Sequence, residues 1–409
     1  LFDLFRKRPA RLGKAFTLPL VLVLAFACAS PAPQPSPPPQ GCSPDFAYSG
    51  GWLGGDGVYS VDLPGGSQRT LWLFGDSFVS DDAEARNRVG STFVHNSIGV
   101  SRCRDGNFSI RYHWGRDEDG AAEAMLDTGD PERYWWLFDG FIYRDSLYLG
   151  LLEVRPAEPQ GALRLPFRLS GMSLARIDNP LADPRSWHPQ IASLSPSDEA
   201  FPGSSMVVHD DSVYLFSFSQ LEADRQPRFL ARLPLSALTP FPADLSANLE
   251  TLTRGGHWGP GFLPERARPL FPDNATEMSV EFHPESRQWL AIYASPIQVA
   301  EPEVKTAGSL GDAPPSNTVY LRRAERLEGP WSERVAVYQY PETDTDPAIY
   351  CYAAKGHLGY SPPGEVLITY VCNRRSNPGE AASDTLGQLL RDMEIYRPRT
   401  TLIPLAPPE

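Results

Sequence analysis

Positive charge is scarce in this chain of 409 residues: Lys and Arg number 37 against 50 Asp and Glu, a formal net charge of −13. That balance argues against nucleic acid as a partner, because a nucleic-acid binder usually carries a basic stripe. There are five cysteines and seven histidines, and none of them falls into a CxxC pair or a Cys/His cluster of zinc spacing. A Gly-rich phosphate loop and an HExxH are also lacking. No metal and no cofactor is therefore expected. Helical periodicity is scarce. Beyond the N-terminus no apolar run approaches the ~18 residues of a membrane span.

Proline (42) and glycine (33) are plentiful. Both break helices and punctuate turns, which favours many short strands, and 11% aromatic residues agree. With 41% hydrophobic residues the chain can bury a large core. Its length suits two or three domains, or one large all-β domain.

Residues 1–27 read as an export signal. A basic stretch from Arg6 to Lys14 precedes the apolar run Leu18 to Ala27, which has the length of a signal-peptide core. Cys28, directly after, resembles a bacterial lipoprotein acceptor; an ordinary cleaved signal is the alternative. Residues 28–45 follow as a Pro-rich tether, extended and solvated. The expected product is an exported monomer whose only membrane contact is a lipid on Cys28. Without residues 1–27 the chain has 32 basic and 49 acidic residues.

Setting Cys28 aside leaves Cys42, Cys103, Cys351 and Cys372, an even number in an exported chain, and three pairings are possible. Two apolar stretches flank Ser361-Pro362-Pro363-Gly364, and Cys351 and Cys372 are equidistant from position 361.5, inside that loop. In a hairpin they would face each other within disulfide range. Cys42–Cys103 follows by elimination.

From residue 46 to 405 a unit of four strands recurs five times, starting near Gly57, Trp136, Ser205, Met278 and Ile349. The third strands resemble one another: SLARI at 173–177, FLARL at 229–233 and VYLRR at 319–323. Five such units of 60–75 residues fit an all-β, five-bladed β-propeller; a β-sandwich with long loops is the rival. In a propeller the first strand of each blade lines the axis. Those strands carry Asp56, Asp139, Ser204 and Ser205, Glu277 with Glu281, and Lys355 with His357.

The strongest local feature is the first hairpin, Gly54-Gly55-Asp56-Gly57 … Phe74-Gly75-Asp76-Ser77. Asp56 and Asp76 are each ten residues from Gly66. Symmetric pairing makes them cross-strand neighbours, whose repulsion raises one pKa. That suits two-carboxylate glycoside hydrolysis. Asp76, beside Phe74 and Phe78, is expected to be the protonated acid. Asp56, between glycines that leave room for substrate, is expected to be the ionised nucleophile or base. Glu277 faces them as a third catalytic candidate. Asn96, Trp136, Asp139, Lys355 and His357 are candidates for holding a sugar. Phe74-Gly75-Asp76-Ser77 also looks like an SGNH-esterase block with Ser77 as nucleophile, but no histidine has Asp three residues before it, as that family needs.

These motifs, with Leu71-Trp72-Leu73-Phe74-Gly75-Asp76-Ser77, Asn96-Ser97-Ile98, Gly329-Pro330-Trp331 and Ala354-Lys355-Gly356-His357, resemble bacterial five-bladed propellers long described as domains of unknown function. Their group includes arabinanases and fructosidases. One branch the chain resembles is endo-D-arabinanase, acting on mycobacterial arabinan, whose two catalytic first-blade aspartates map onto Asp56 and Asp76. The resemblance implies an exported glycoside hydrolase acting on a polysaccharide or oligosaccharide. A non-catalytic glycan-binding propeller is the other class.

Overall fold

The computed structural model describes residues 42–160, 165–195, 197–219, 228–272, 277–294, 317–346, 348–374 and 382–405. The signal segment, Cys28 and the tether up to residue 41 lie outside the described residues.

Five antiparallel sheets follow one another along the chain, each with its first strand innermost. Blade 1 comprises Trp52–Asp62, Arg69–Val79, Ser97–Arg104 and Asn107–His113, with the short Thr92–Val94 beside its second strand. Blade 2 comprises Tyr134–Tyr143, Ser146–Gln160, Leu165–Ile177 and Gln190–Ser195. Blade 3 begins at Ala200–His209 and adds a fifth strand, Trp258–Pro260. Blade 4 runs from Ser279–His283 to Val335–Gln339. The fold is the expected five-bladed propeller.

Each blade packs against neighbours on both faces, so its middle strands are apolar throughout instead of alternating. Leu71, Trp72, Leu73 and Phe74 are all buried, as are 213–219 of blade 3. The outermost strand of blade 1 does alternate, exposing Asn107, Ser109 and Arg111.

Blade 5 departs from the expectation. It has three strands, Ile349–Gly356, Glu365–Arg374 and Arg399–Pro404. Where the four-strand unit calls for a further strand, Asp392–Tyr396 instead follows the helix Ala382–Arg391 in an irregular turn, with Tyr396 at φ 55°. The helix stays because Leu389 and Leu390 pack with Leu53, Phe78 and Tyr396, and because Arg88 reaches its end. The buried Arg88 guanidinium donates to the carbonyls of Leu389, Asp392 and Ile395 at 2.7–2.9 Å, satisfying acceptors that a helix terminus leaves open.

Both disulfides form. Cys351 and Cys372 are direct register partners with Cα atoms 4.0 Å apart. Cys42–Cys103 ties the chain ahead of blade 1 to its third strand, so residues 42–45 are held by the propeller and are not tether. Disulfides of this kind persist in oxidising compartments. Among the described residues no helix is long and apolar enough to cross a membrane.

Polar side chains stitch the inner strands around the axis. Asp139 of blade 2 accepts from the Ser205 hydroxyl (3.0 Å) and the Met206 N–H (2.8 Å) of blade 3. Ser205 accepts in turn from Val280 N–H of blade 4. Ser279 and Glu281 of blade 4 accept from Gly356 N–H and Leu358 N–H of blade 5. His357 closes the ring on blade 1 through Ser60, at 2.7 Å.

Candidate active site

The first hairpin pairs symmetrically about Gly66 from Asp62 with Thr70 to Tyr59 with Leu73, and again at Gly55 with Ser77, but slips between them. Gly55 pairs with Ser77 and Gly57 with Phe74, so Gly75 and Asp76 together oppose Asp56 alone. This is a β-bulge, which re-aims side chains at a site. The two aspartates remain electrostatic neighbours. Burial pushes the Asp56 carboxyl up to about 8, with the charge of Asp76 and then that of Glu277 adding to it.

The expected environments are exchanged. Asp56 is the enclosed carboxyl, because blade 5 closes over it. Its Oδ2 accepts from the hydroxyls of Tyr352 (2.7 Å) and Tyr396 (3.3 Å), and Tyr396 also reaches the Asp76 carbonyl. Burial, with the Asp56 charge next, holds both phenols well above their usual range. Asp76 is the more open carboxyl, its side chain 19% exposed. Its Oδ1 faces the Trp136 indole N–H at 2.8 Å and His95 Nδ1 at 3.0 Å. His95 stacks on Tyr134 with ring centroids 3.5 Å apart, and Trp136 packs edge-on to Phe167. Asp76 therefore sits among aromatic rings and Asp56 beneath phenols.

The glycines serve this enclosure and not a substrate. A Cβ on Gly54 (φ +122°) would meet the Tyr396 carbonyl at 2.1 Å, and one on Gly75 would meet Asp56 Oδ1 at 2.7 Å. A side chain at Gly54 would drive Tyr396 away from the aspartates, and one at Gly75 would displace the Asp56 carboxyl. Arg88 fixes the same place from the other side, donating to Leu53 O just ahead of Gly54 and to Ile395 O.

Glu277 accepts from Lys355 Nζ at 2.5 Å. Lys355, its side chain 1% exposed, also donates to Gly57 O and Ala353 O and lies 4.2 Å over the Tyr59 ring. All three of its N–H bonds are taken. Burial lowers its pKa while Glu277 opposes that shift. Lys355 is thus a fixed cation joining blades 5, 4 and 1 beside Asp56, with no hydrogen left for a sugar.

Three further candidates are also engaged by the fold. Asn96 is fully buried; its amide donates to Leu126 O and Trp135 O and accepts from Leu126 N–H. His357 contacts Ser60 and Thr369 through its two ring nitrogens, and burial lowers it to about 3. Asp139 accepts two backbone N–H groups and one hydroxyl; burial still raises it to about 6. Ser77 is buried, with its hydroxyl bonded to Ser97 and Gly75 O, so it is not placed as a nucleophile. Sequence reasoning missed Tyr352, Tyr396, Tyr134 and Arg88. Their signal is weak, since they come from blades and loops whose approach to the first hairpin is set only by closure of the ring.

Fold and site together define a five-bladed propeller with a carboxylate cluster at the axis end of its first blade. Residues 46–246 match the family described as Domain of unknown function (DUF5005), in keeping with the resemblance read from the first-blade motifs. No curated protein matches the chain. Among solved structures, a Bacteroides ovatus protein provisionally described as a hydrolase shares 19% identity over 88% of this chain and 87% of its own, with a TM-score of 0.60. Looser likenesses include an endo-arabinase from Bacteroides thetaiotaomicron (11% identity, 90% and 99% covered, TM-score 0.44) and an α-L-arabinofuranosidase from Lactobacillus brevis (12%, 86% and 90%, TM-score 0.46). The first is a likeness of fold.

Proposed function

We propose that this protein is an exported glycoside hydrolase of polysaccharide, with Asp56 as general acid and Asp76 as the carboxylate that attacks the anomeric carbon. The reading rests on one observation: two neighbouring carboxyls in opposite surroundings, Asp56 enclosed and raised to about 8, Asp76 partly open among Trp136, His95 and Tyr134. Pairs of titratable groups whose surroundings separate their protonation divide into acid and nucleophile. Asp56 gives its proton to the departing glycosidic oxygen. The hydroxyls of Tyr352 and Tyr396 then donate to the anion left behind. Asp76 forms the glycosyl ester, and Asp56, now charged, deprotonates the water that releases the sugar with retained configuration. Glu277, tied to Lys355, supplies charge beside Asp56. The aromatic rings around Asp76 offer faces for a sugar. An arabinan is the substrate the sequence resemblance favours.

Hydrolysis of arabinans, fructans and xylans, with the product anomer followed by NMR, tests this. Retention, lost in Asp56→Asn and in Asp76→Asn, is expected. Inversion would move the pair to Asp56 with Glu277. Full activity in both variants would leave a glycan-binding propeller. Export with a lipid on Cys28 completes the reading: Cys28→Ser should abolish fatty-acid labelling and release the protein from the membrane fraction, and labelling that persists would refute the anchor.

A further inference from the structure

The short strand Thr92–Val94 lies off the path of blade 1 and pairs only with the end of its second strand, Val94 opposite Ser77 and Phe93 opposite Phe78. Core burial does not account for it, because Phe93 is 46% exposed and the His95 side chain 36%. Its effect is on the residue that follows. Antiparallel pairing carried one residue further sets His95 opposite Asp76, and side chains of opposed residues lie on one face of a sheet. His95 Nδ1 is 3.0 Å from Asp76 Oδ1. The imidazole is held on two sides. Tyr134 of blade 2 stacks on it with ring planes 11° apart, and Phe93, itself resting on Phe78, meets it edge-on at 5.9 Å.

Two contacts converge on one oxygen. The Trp136 indole N–H, from the first strand of blade 2, reaches the same Oδ1 at 2.8 Å. Among the described residues no donor reaches Asp76 Oδ2. An indole nitrogen can only donate, so Oδ1 is an acceptor. In the attacking carboxylate that the proposed function requires, His95 Nδ1 then carries the hydrogen. Donors from two directions stop the carboxyl from turning, so its two oxygens are no longer equivalent.

We propose that His95 is a positioning residue: with Trp136 it holds Asp76 by Oδ1 and so assigns Oδ2 as the oxygen that bonds to the anomeric carbon. The inference rests on the glycoside-hydrolase reading and deepens it. As the bond from Oδ2 forms, the glycosidic C–O bond breaks, and its electron pair stays on the leaving oxygen, which takes the Asp56 proton. Oδ1 becomes the carbonyl oxygen of the ester and keeps both donors. In the second step water, deprotonated by Asp56, attacks the anomeric carbon, and the electron pair of the breaking C–Oδ2 bond returns to the carboxylate. Charge-assisted hydrogen bonds from His95 and Trp136 stabilise it there. Packing alone would need only a ring on Tyr134, whereas positioning needs the hydrogen on Nδ1.

Two variants of the full chain separate the hydrogen bond from the stack. His95→Phe keeps a ring against Tyr134 and removes the donor. His95→Asn removes the ring and keeps an N–H near the place of Nδ1. On whichever arabinan, fructan or xylan the unaltered protein hydrolyses, His95→Phe should lower kcat about tenfold or more, the share of one hydrogen bond to a charged group. KM should stay within about twofold, since the contact is to the enzyme's own carboxylate and not to bound sugar. His95→Asn should recover most of the lost kcat. An unchanged kcat in His95→Phe, or equal losses in both variants, would overturn the assignment of His95 alone. The tautomer needs no turnover: long-range ¹H–¹⁵N correlation of ¹⁵N-histidine-labelled protein, with His95 assigned by its loss in His95→Phe, should place a hydrogen on Nδ1. A bare Nδ1 would overturn the proposal whatever the activity. No hydrolysis by the unaltered protein would overturn the glycoside-hydrolase reading, and this assignment with it.

Discussion

Two sets of carboxyls line the same axis, and they differ in what their oxygens touch. Asp139 and Glu281 each accept a backbone N–H from the next blade. Asp56 accepts, among the described residues, from the hydroxyls of Tyr352 and Tyr396, which donate without closing a backbone ladder. Burial raises all three, Asp139 to about 6, Glu281 and Asp56 to about 8. A raised carboxyl therefore marks the axis of this fold in general and does not by itself mark chemistry. What separates Asp56 is a second carboxyl opposite the bulge, more open and set among aromatic rings. The first set holds blades together; the second pairs the enclosed Asp56 with the more open Asp76.

The comparison breaks most sharply on activity. Asp56→Asn and Asp76→Asn should each lower hydrolysis by about 10²–10⁴, the range for a positioned acid or base, whereas Asp139→Asn should act mainly on melting temperature. Comparable kinetic losses in all three would merge the two sets. Next in size is Lys355→Met, which strands Glu277 and two carbonyls; breaking a buried ion pair costs about 3–5 kcal/mol, measurable by denaturant unfolding. A cost within error would mean that the cation does not hold blades 1, 4 and 5 together. Cys351→Ala/Cys372→Ala should cost about 2–5 kcal/mol, read the same way under oxidising conditions. An unchanged midpoint would remove the crosslink from the account of blade 5.

The smallest effect is in pH. Asp56, Asp139 and Glu281 keep protons in the folded state that the unfolded chain releases near pH 4. Stability therefore falls as pH rises from about 4 towards 8, and levels off above the folded values. Glu281→Gln keeps an acceptor for Leu358 N–H and removes one titration, so its melting temperature should decline less over that window and be higher at pH 8. An unchanged slope would show that Glu281 is ionised throughout.

Much of this was legible in residues. Strand-turn-strand units and the like third strands SLARI, FLARL and VYLRR gave the five blades, because each middle strand must be apolar on both faces. The position of Cys351 and Cys372 about one turn gave their bond: the register slips by one residue between Tyr352 and Lys355, yet the two cysteines still pair directly on the far side of that slip. The same arithmetic applied to Asp56 and Asp76 located the pair but misread its geometry, since a bulge adds one residue on one side. It also exchanged their surroundings. Phe74 and Phe78 suggested that Asp76 was the desolvated one, yet Tyr352 and Tyr396 arrive from blade 5, about 300 residues away along the chain. Asn96 and His357 looked available for a ligand because sequence shows a polar side chain and not its partners. The helix Ala382–Arg391 was missed because its stability comes from Arg88 and Leu53, contacts that no local period records.

The central claim is that Asp56 enters neutral, its proton kept by burial and by the Asp76 charge beside it. Carboxyl-carbon NMR of the protein with ¹³C-labelled aspartate, with the Asp56 resonance assigned by Asp56→Asn, measures it directly. The account predicts that Asp56 titrates near pH 8 and moves down in Asp76→Asn, where the neighbouring charge is gone. An Asp56 resonance that titrates near pH 4 and ignores Asp76→Asn would contradict it.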